Sequence, residues 1–406
     1  MIILKATVIK CDTEAVLLKL LAYELFNAAL SVIGSDVNWD EIISLADKHS
    51  VKPLIYRSAK QLADVPDEVL DSLRSSAISS AFRNERMLAI QDEIICLFET
   101  RNISCAILKG SSVSSCYPYS EIRTLGDIDI LIDASKLSDA GGVLNESGYL
   151  HSSGTAFHDC YEGKGVHVEL HQAVSKFPDT EKGRYTATYM KDALRYAVGE
   201  TLGNHRYPVL DVPYQITALL SHVERHMTNT GSSLRQLCDW AVTVDHYRDT
   251  IDAAALEILA QCGLLRFAEA LTKACTAYLG LPKFDWAEEI PDAVADAMIN
   301  EIITSGSIQH IDVIRGLSSA FIPGKDTDRK QTTLLGHYVS NTNRKARKEH
   351  PHLSKCPLLY PFFWLFYPVR WWIRSLHGER EKINATKTLS IAYQRKKLYG
   401  ELKLFQ

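Results

Sequence analysis

The chain has 406 residues, of which 46% are hydrophobic and 23% are charged, a composition typical of a soluble globular protein with two or three domains. Its nine cysteines form no C-x-x-C pair, which argues against a thiolate zinc site and against a disulfide framework. The apolar run at the N-terminus is interrupted by Lys5 and is too short for a signal peptide. We therefore expect a cytoplasmic protein with reduced thiols.

The net charge of −4 is unevenly distributed along the chain. Residues 341–406 contain 14 Lys and Arg against 4 Asp and Glu, so the tail is basic and the first 340 residues are acidic. Two interpretations stay open from charge alone: the tail contacts something anionic, or it is a solvated charged segment without a partner.

The first part of the chain, residues 1–102, is predicted to be a helical module. Residues 13–30 have the apolar spacing of a helix. Asn38 precedes Glu41 by three residues, as in a capping box at the start of the next helix. Residues 67–101 have the pattern of one or two long amphipathic helices.

The pattern changes at residue 103, and residues 103–212 predict a compact core. The runs "ISCAILKG" and "DIDILID" are typical of strands, and "SKLSDAGGVLNESGY" (residues 135–149) has the pattern of a helix that ends near Gly148. Two more strand-like runs follow, "AFHDCYEG" and "GVHVELHQAV". Strands mixed with helices over this length indicate an α+β unit. Residues 213–340 are predicted to form a C-terminal helical region, and residues 341–406 a basic, aromatic tail.

Two aspartates interrupt the apolar run around residue 130. Asp127 and Asp129 are two positions apart, so in a strand both side chains point to the same face. Buried carboxylates are costly unless a positive group neutralises them, and a pair of carboxylates suits Mg²⁺. Two-metal phosphoryl-transfer sites need a third acid on a neighbouring strand, and Glu169 in "VHVELHQ" is the best candidate.

The segment "LKGSSV" predicts a phosphate site. A strand that ends at Gly110 and opens a helix with Ser111 and Ser112 presents backbone N–H groups and the positive end of a helix dipole. Gly110 lets the backbone approach a ligand closely. Lys109 and Arg123 are candidate charges for phosphate oxygens.

Together these residues resemble the nucleotidyltransferase superfamily that includes DNA polymerase beta and the aminoglycoside nucleotidyltransferases. That superfamily has h-G-[GS], then D-h-[DE], then a lone acid on a later strand. More narrowly, "AILKGSSV…GDIDILI", "VELH" and "SHVERH…LRQLCDWA" resemble an uncharacterised bacterial nucleotidyltransferase family, NTP transferase type 5. The resemblance covers roughly residues 13–250. It departs at the third acid, where the family more often has Asp and this chain has Glu169.

The resemblance implies a polymerase-beta-like α+β core, a small mixed sheet with helices, flanked by N- and C-terminal helical regions. It implies Mg²⁺-dependent transfer of a nucleoside monophosphate from an NTP to a small-molecule or carrier-bound acceptor, with release of pyrophosphate. Asp127 and Asp129 would hold two metal ions that bridge the triphosphate. Glu169 would hold the metal nearer the attacking group and help to deprotonate it, and Gly110 and Ser111 would cradle the β- and γ-phosphates.

A candidate acceptor pocket comprises His171, His222, His226, Arg235 and Asp239. His222 and His226 share a helix face but lack the spacing of an H-E-x-x-H protease motif. Arg235 and Asp239 are spaced for a helix salt bridge, which competes with a role in the cleft wall.

Other functions also stay open. His167, Glu169 and His171 alternate along one strand, a pattern that also fits zinc or iron. A descendant without activity that binds nucleotide, and a toxin-like enzyme that acts on protein or tRNA, are further alternatives.

The tail contains the uncharged segment from Pro357 to Val369, between basic flanks. Thirteen residues are too few to span a bilayer, and Pro361 and Pro368 disfavour a continuous helix. Aromatic residues beside Lys and Arg predict contact of residues 341–382 with an anionic membrane at the inner surface. Packing on the body or on a partner protein competes with this, and nucleic acid is the less favoured partner.

Overall fold

The computed structural model describes residues 12–30, 37–229, 231–306, 313–323, 333–352, 357–376 and 384–404. Residues 37–229, which contain all seven strands described below, are described without a gap. The N-terminal run "MIILKATVIKC" and part of the predicted contact region 341–382 lie outside the described residues.

The N-terminal part of the chain is helical. Its helices are α1 (Asp12–Phe26), α2 (Trp39–Lys48), the single turn α3 (Tyr56–Ala59) and α4 (Asp67–Thr100). The predicted cap is present, because Asn38 Oδ1 accepts the Glu41 N–H at 3.2 Å. The long amphipathic pattern forms one helix, α4, rather than two.

A seven-stranded mixed sheet follows. Its strands are β1 (Cys105–Leu108), β2 (Ile128–Ile132), β3 (Leu150–Gly154), β4 (His158–Gly163), β5 (Val166–His171), β6 (Val198–Leu202) and β7 (His205–Val209). The spatial order is β3-β4-β5-β2-β1-β7-β6. Strand β2 is antiparallel to β1 and parallel to β5. The helices connected to the sheet are α5 (Ser111–Ser114), α6 (Leu137–Glu146) and α7 (Glu181–Tyr189). The fold is therefore the expected nucleotidyltransferase-like core, with helical flanks.

Alternation along β2 determines which residues enter the core. Ile128, Ile130 and Ile132 pack with Val168 and Leu170 of β5 against the second half of α4 and against α6. The odd-numbered positions of β2 and β5 point to the opposite face of the sheet. That alternation places Asp129 and Glu169 together, away from the apolar cluster.

Three strands were not predicted from the sequence. Strand β3 has five exposed residues and no apolar alternation. The hairpin β6–β7 is also polar, although Gly203 at φ +60° in its two-residue turn is a typical hairpin signal. Strand β7 pairs in parallel with β1 through Val209 and Ile107, so this hairpin extends the sheet beyond the strand that leads into the Gly110 loop.

The C-terminal part is helical again. Its helices are α8 (Val212–Thr228), α9 (Leu234–His246), α10 (Ala253–Gln261), α11 (Leu265–Tyr278), α12 (Asp292–Ser305), α13 (Val313–Ser318), α14 (Leu334–Glu349), α15 (Tyr360–Leu376) and α16 (Ala385–Glu401). One hydrophobic cluster contains Leu17 of α1, Leu73 of α4, Trp240 of α9 and Tyr399 of α16. The helices before and after the sheet thus share a core.

The helix that contains the predicted boundary at residue 341 begins at Leu334; the division into four domains stays a prediction.

The expectation that prolines interrupt the aromatic segment was wrong. Helix α15 is continuous through Pro368. Pro361 occupies its first turn, where the missing N–H has no intrahelical partner in any case. No helix among the described residues is long and apolar enough to cross a membrane.

Candidate active site

Three carboxylates converge at one end of the paired strands β2 and β5. Asp129 lies in register with Glu169 on the neighbouring parallel strand, and Asp127 immediately precedes β2. Carboxylate oxygens of Asp127, Asp129 and Glu169 all lie within 4.8 Å of one another. The structure therefore brings the three predicted acids together. Asp129 is only 2% exposed, so its charge needs compensation from nearby groups.

Lys109 and His171 supply that compensation. The Lys109 Nζ lies 2.9 Å from Asp129 Oδ1, and the His171 Nε2 lies 2.7 Å from the same oxygen and 3.0 Å from Glu169 Oε2. Burial by itself would raise the pKa of Asp129, but Lys109 and His171 hold it well below its usual range. The hydrogen bond from His171 likewise lowers the pKa of Glu169. Both acids are therefore ionised at neutral pH.

Asp127 is in a different electrostatic position. The neighbouring Asp129 raises the pKa of Asp127, and burial adds to the rise, while Lys109 and Arg235 oppose it. A carboxylate crowded by another carboxylate is stabilised by additional positive charge. The three carboxylates could therefore hold a metal ion together.

The loop after β1 adopts an uncommon backbone conformation. Lys109 has φ +49° and Gly110 has φ +47°, and a positive φ is unfavourable for a lysine. A Cβ built on Gly110 would lie 3.7 Å from the Asp127 carbonyl oxygen, so the loop packs closely on the strand that carries the acids. This turn directs Lys109 toward Asp129 instead of away from the sheet.

The helix dipole predicted at this loop is small, and the hydroxyls of Ser111 and Ser112 have partners within the protein. Helix α5 has only four residues, too few for a substantial dipole. The Ser111 hydroxyl donates to Gln91 Oε1 at 2.6 Å, and the Ser112 hydroxyl donates to the Lys109 carbonyl at 2.9 Å. Both side chains are buried: Ser111 ties the loop to α4, and Ser112 bonds within the loop.

A comparison with protein-family models matches residues 35–280 to a family described as an uncharacterised nucleotidyltransferase. The match covers more than half of the chain. The chain belongs to this nucleotidyltransferase family. A search of curated proteins finds no match. The matched residues include all three carboxylates and extend through α11, whereas α12–α16 lie outside them.

Arg123, predicted to bind a phosphate, is paired with a carboxylate of the protein. Its Nε and Nη2 donate to the two oxygens of Asp239 at 3.0 and 2.7 Å, and the Tyr117 hydroxyl donates to Asp239 Oδ1 at 2.7 Å. Burial opposes the charge of Arg123, but Asp239 raises its pKa well above the ordinary value. This buried bidentate pair joins the segment before β2 to α9.

Asp239 therefore pairs with Arg123, and the predicted Arg235–Asp239 helix pair was wrong. Arg235 donates instead from Nη1 to the Thr124 carbonyl at 3.2 Å. Its Nε is buried and has no hydrogen-bond partner among the described residues. Burial lowers the pKa of Arg235, and Asp127 is one of the acids that oppose this. Of the two arginines, Arg235 is the one with donor capacity left beside the carboxylates.

Helix α8 lies across the site and contributes further nitrogen groups. The rings of His222 and His226 are 4.3 Å apart, and Arg225 Nη2 lies 3.5 Å from His222 Nδ1. Burial lowers the pKa of His226 to about 3, and burial together with Lys109 lowers that of His222 well below its usual value. Both histidines are therefore neutral at pH 7. Sequence reasoning missed Arg225, although it is three residues from His222 and shares that helix face.

A second set of ligand types surrounds Glu169. His158, Glu169 and His171 could hold a metal ion together, and so could Cys160, His167 and Glu169. The first group differs from the predicted alternation within β5, since His158 comes from β4, where it is paired with His171. Sequence reasoning missed His158 because the pairing of β4 with β5 depends on tertiary structure.

Proposed function

We propose that the chain is a Mg²⁺-dependent nucleotidyltransferase that moves a nucleoside monophosphate from an NTP to a small-molecule or carrier-bound acceptor and releases pyrophosphate. The observation that supports this most directly is the convergence of Asp127, Asp129 and Glu169 within 4.8 Å of one another, in a chain that belongs to a nucleotidyltransferase family. Such a cluster matches the carboxylate set that metal-assisted phosphoryl transfer requires.

The donor set fits magnesium. Mg²⁺ prefers hard oxygen ligands and is commonly held by carboxylates and substrate phosphates together. Asp129 and burial raise the pKa of Asp127, and a bound cation would oppose that rise. When bound, magnesium would neutralise charge on the triphosphate and on the attacking oxygen. Asp127 and Asp129 would hold it on the triphosphate side, and Glu169 on the acceptor side.

Arg235 and Lys109 are the cations proposed to bind the triphosphate. Arg235 has a buried Nε without a hydrogen-bond partner among the described residues and interacts electrostatically with Asp127, and a guanidinium can bind phosphate oxygens through two donors. Lys109 is anchored on Asp129 and remains partly exposed. The backbone of Gly110, which packs on the Asp127 strand, then lets the phosphates approach. Arg123 has a structural task instead, since Asp239 occupies its donors.

Glu169 is the group proposed to orient the attacking hydroxyl. Its side chain is about one-fifth exposed, whereas Asp129 is nearly inaccessible, so Glu169 can contact an acceptor. His171 fixes one Glu169 oxygen through a 3.0 Å contact. The neutral histidines of α8 can accept or donate a hydrogen bond to an acceptor without adding charge, which supports their assignment to the acceptor pocket.

The direct test is transfer of label from each of four [α-³²P]NTPs in the presence of Mg²⁺ and a small-molecule extract. We expect the wild type to release pyrophosphate and to label an acceptor, and Asp129→Asn and Glu169→Gln to lose both activities. The matched control is Glu162→Gln, which changes an exposed acid of β4 that pairs with His167. Pyrophosphate release by the double variant Asp129→Asn/Glu169→Gln would contradict the proposed site.

The same assay separates the alternatives. Label in tRNA or in protein would identify a toxin-like acceptor class. Tight NTP binding without any transfer would favour a nucleotide-binding protein without activity. Metal analysis tests the zinc or iron alternative. A purified protein that retains one of these metals in stoichiometric amount, and loses it in His158→Ala, would favour a metal site at His158, Glu169 and His171.

A further inference from the structure

Helix α15 exposes an apolar stripe to solvent. Five of its side chains, each between 46% and 72% exposed, are Phe362, Leu365, Val369, Trp372 and Ile373. At about 100° per residue these positions fall within an arc of about 100° on one side of the helix. An exposed contiguous stripe of large apolar side chains is unusual for a surface that contacts only water.

The opposite side of α15 packs on α14, which fixes the direction of the stripe. Phe363 is buried against Ala346 of α14. The Tyr338 hydroxyl of α14 donates to the Trp364 carbonyl at 2.6 Å, and the Trp364 Nε1 donates to Asn343 Oδ1 at 2.8 Å. Because these contacts hold one side of α15 against α14, the stripe faces outward as part of the folded structure.

The two helices together are strongly basic. They contain six Lys and Arg and a single acid, Glu349. Glu349 accepts a hydrogen bond from the Tyr367 hydroxyl at 2.6 Å. Lys345 and Arg347 of α14 are exposed and lie over the rings of Tyr367 and Tyr360, on the side of α15 that faces α14. Lys345 also lies 3.9 Å from Glu349.

We propose that the α14–α15 hairpin binds the surface of an anionic phospholipid bilayer. Helix α15 lies in the plane of the interface, with its stripe at the boundary of headgroups and acyl chains. The basic residues of α14, together with Arg370, face the anionic headgroups. With 17 residues and two prolines, α15 is too short to cross the bilayer, and its aromatic content suits the interfacial zone. This proposal does not depend on the activity of the carboxylate site.

Charge is what favours lipid over a second copy of the chain. Two basic hairpins placed together would repel each other, whereas an anionic bilayer attracts each exposed Lys or Arg. The apolar stripe and the basic flank then act on the same partner, and binding by two such signals is stronger than by either one.

Flotation of the full chain with vesicles tests the proposal. We expect binding to phosphatidylcholine vesicles that contain 30% phosphatidylglycerol, weak binding to pure phosphatidylcholine, and loss of binding as salt increases. Leu365→Glu/Val369→Glu should reduce the bound fraction at least about tenfold. Phe82→Glu is the matched control, because Phe82 is 76% exposed and belongs to α4 and not to the hairpin; this variant should bind like the wild type.

A second variant separates the charge from the stripe. Lys345→Gln/Arg347→Gln should lower the affinity by about fivefold for each charge removed. All the substituted side chains are exposed, so we expect each variant to keep the melting temperature of the wild type. Thermal unfolding checks this. Absence of wild-type binding to the anionic vesicles would overturn the proposal. So would a dimer in light scattering that dissociates on Leu365→Glu/Val369→Glu, or binding to an acidic protein or RNA in preference to the vesicles.

Discussion

Asp129 and Glu169 occupy paired positions on two parallel strands, and their carboxylates flank the single imidazole of His171. The pairing is a consequence of register, because a slip by one residue would turn either acid into the apolar cluster on the other face. Lys109 and His171 neutralise Asp129 in the protein alone, whereas Asp127 remains crowded by a like charge. This imbalance between the two aspartates leads to the first prediction.

Asp127→Asn should stabilise the metal-free protein while it removes Mg²⁺-dependent nucleotide binding. The amide relieves the repulsion by Asp129 that raises the pKa of Asp127, a gain of the order of 1 kcal/mol. Chemical denaturation in EDTA measures the stability, and calorimetry with Mg²⁺ and a non-hydrolysable NTP measures the binding. A variant that is less stable in EDTA than the wild type would show that Asp127 has a structural role.

Asp239→Asn should destabilise the protein by about 3–5 kcal/mol, because it leaves the buried Arg123 guanidinium without its counter-charge. The Tyr117 hydroxyl also loses an anionic acceptor. Urea denaturation checks the prediction. Asp179→Asn, which removes the partner of the exposed Arg184, is the control and should change stability by less than about 1 kcal/mol. Similar losses from both variants would contradict the structural role of the Arg123–Asp239 pair.

Arg235→Gln should weaken binding of Mg²⁺–NTP by about 10–100-fold, because a charged hydrogen bond to phosphate contributes about 1.5–3 kcal/mol. The substitution also removes the hydrogen bond from Nη1 to the Thr124 carbonyl, so urea denaturation checks separately that the variant is folded. Titration of a non-hydrolysable NTP gives the affinity. The control Arg101→Gln removes an exposed arginine paired with Glu146 and should bind NTP normally. Unchanged affinity in Arg235→Gln would remove this residue from the triphosphate site.

His205 should make stability depend on pH at the contact between β7 and α4. Burial by itself would lower its pKa, but Asp92 and Glu85 raise it above the ordinary value. The ion pairs of His205 therefore contribute fully to the free energy of unfolding below about pH 6.5, and this contribution disappears as the pH rises through the raised pKa. We expect His205→Gln to lower the melting temperature by more at pH 5.5 than at pH 8.5. In the background Asp92→Asn/Glu85→Gln that difference should disappear; an unchanged cost at both pH values would be inconsistent with the ion pairs.

The sequence predicted the site acids because alternation around Asp129 and Glu169 is a local property of two apolar strands. It also predicted the helical flanks and the cap at Asn38. It did not predict the partner of Arg123, since Asp239 lies 116 residues away and helix spacing favoured Arg235 instead. The arrangement of His158 and Arg225 beside the acids likewise depends on strand pairing and on the packing of α8, which local patterns do not encode.

Strands β6 and β7 were missed for a related reason. Their residues are largely polar, and β7 gains its place in the sheet by pairing with β1 and through the contacts of His205 with α4. The helix at α15 was missed because local proline rules predicted a break at Pro368, while packing of Phe363 and Trp364 on α14 stabilises the helix. In both cases tertiary contacts outweighed local preference.

The central proposal is that Asp127, Asp129 and Glu169 hold magnesium, and that a nucleoside triphosphate binds through this metal. The most direct measurement is calorimetric titration of non-hydrolysable NTPs into the wild type and into Asp127→Asn/Asp129→Asn, each with Mg²⁺ and with EDTA. We predict binding by the wild type only when Mg²⁺ is present, and none by the variant. Equal binding in EDTA, or equal binding by the folded variant, would contradict the claim.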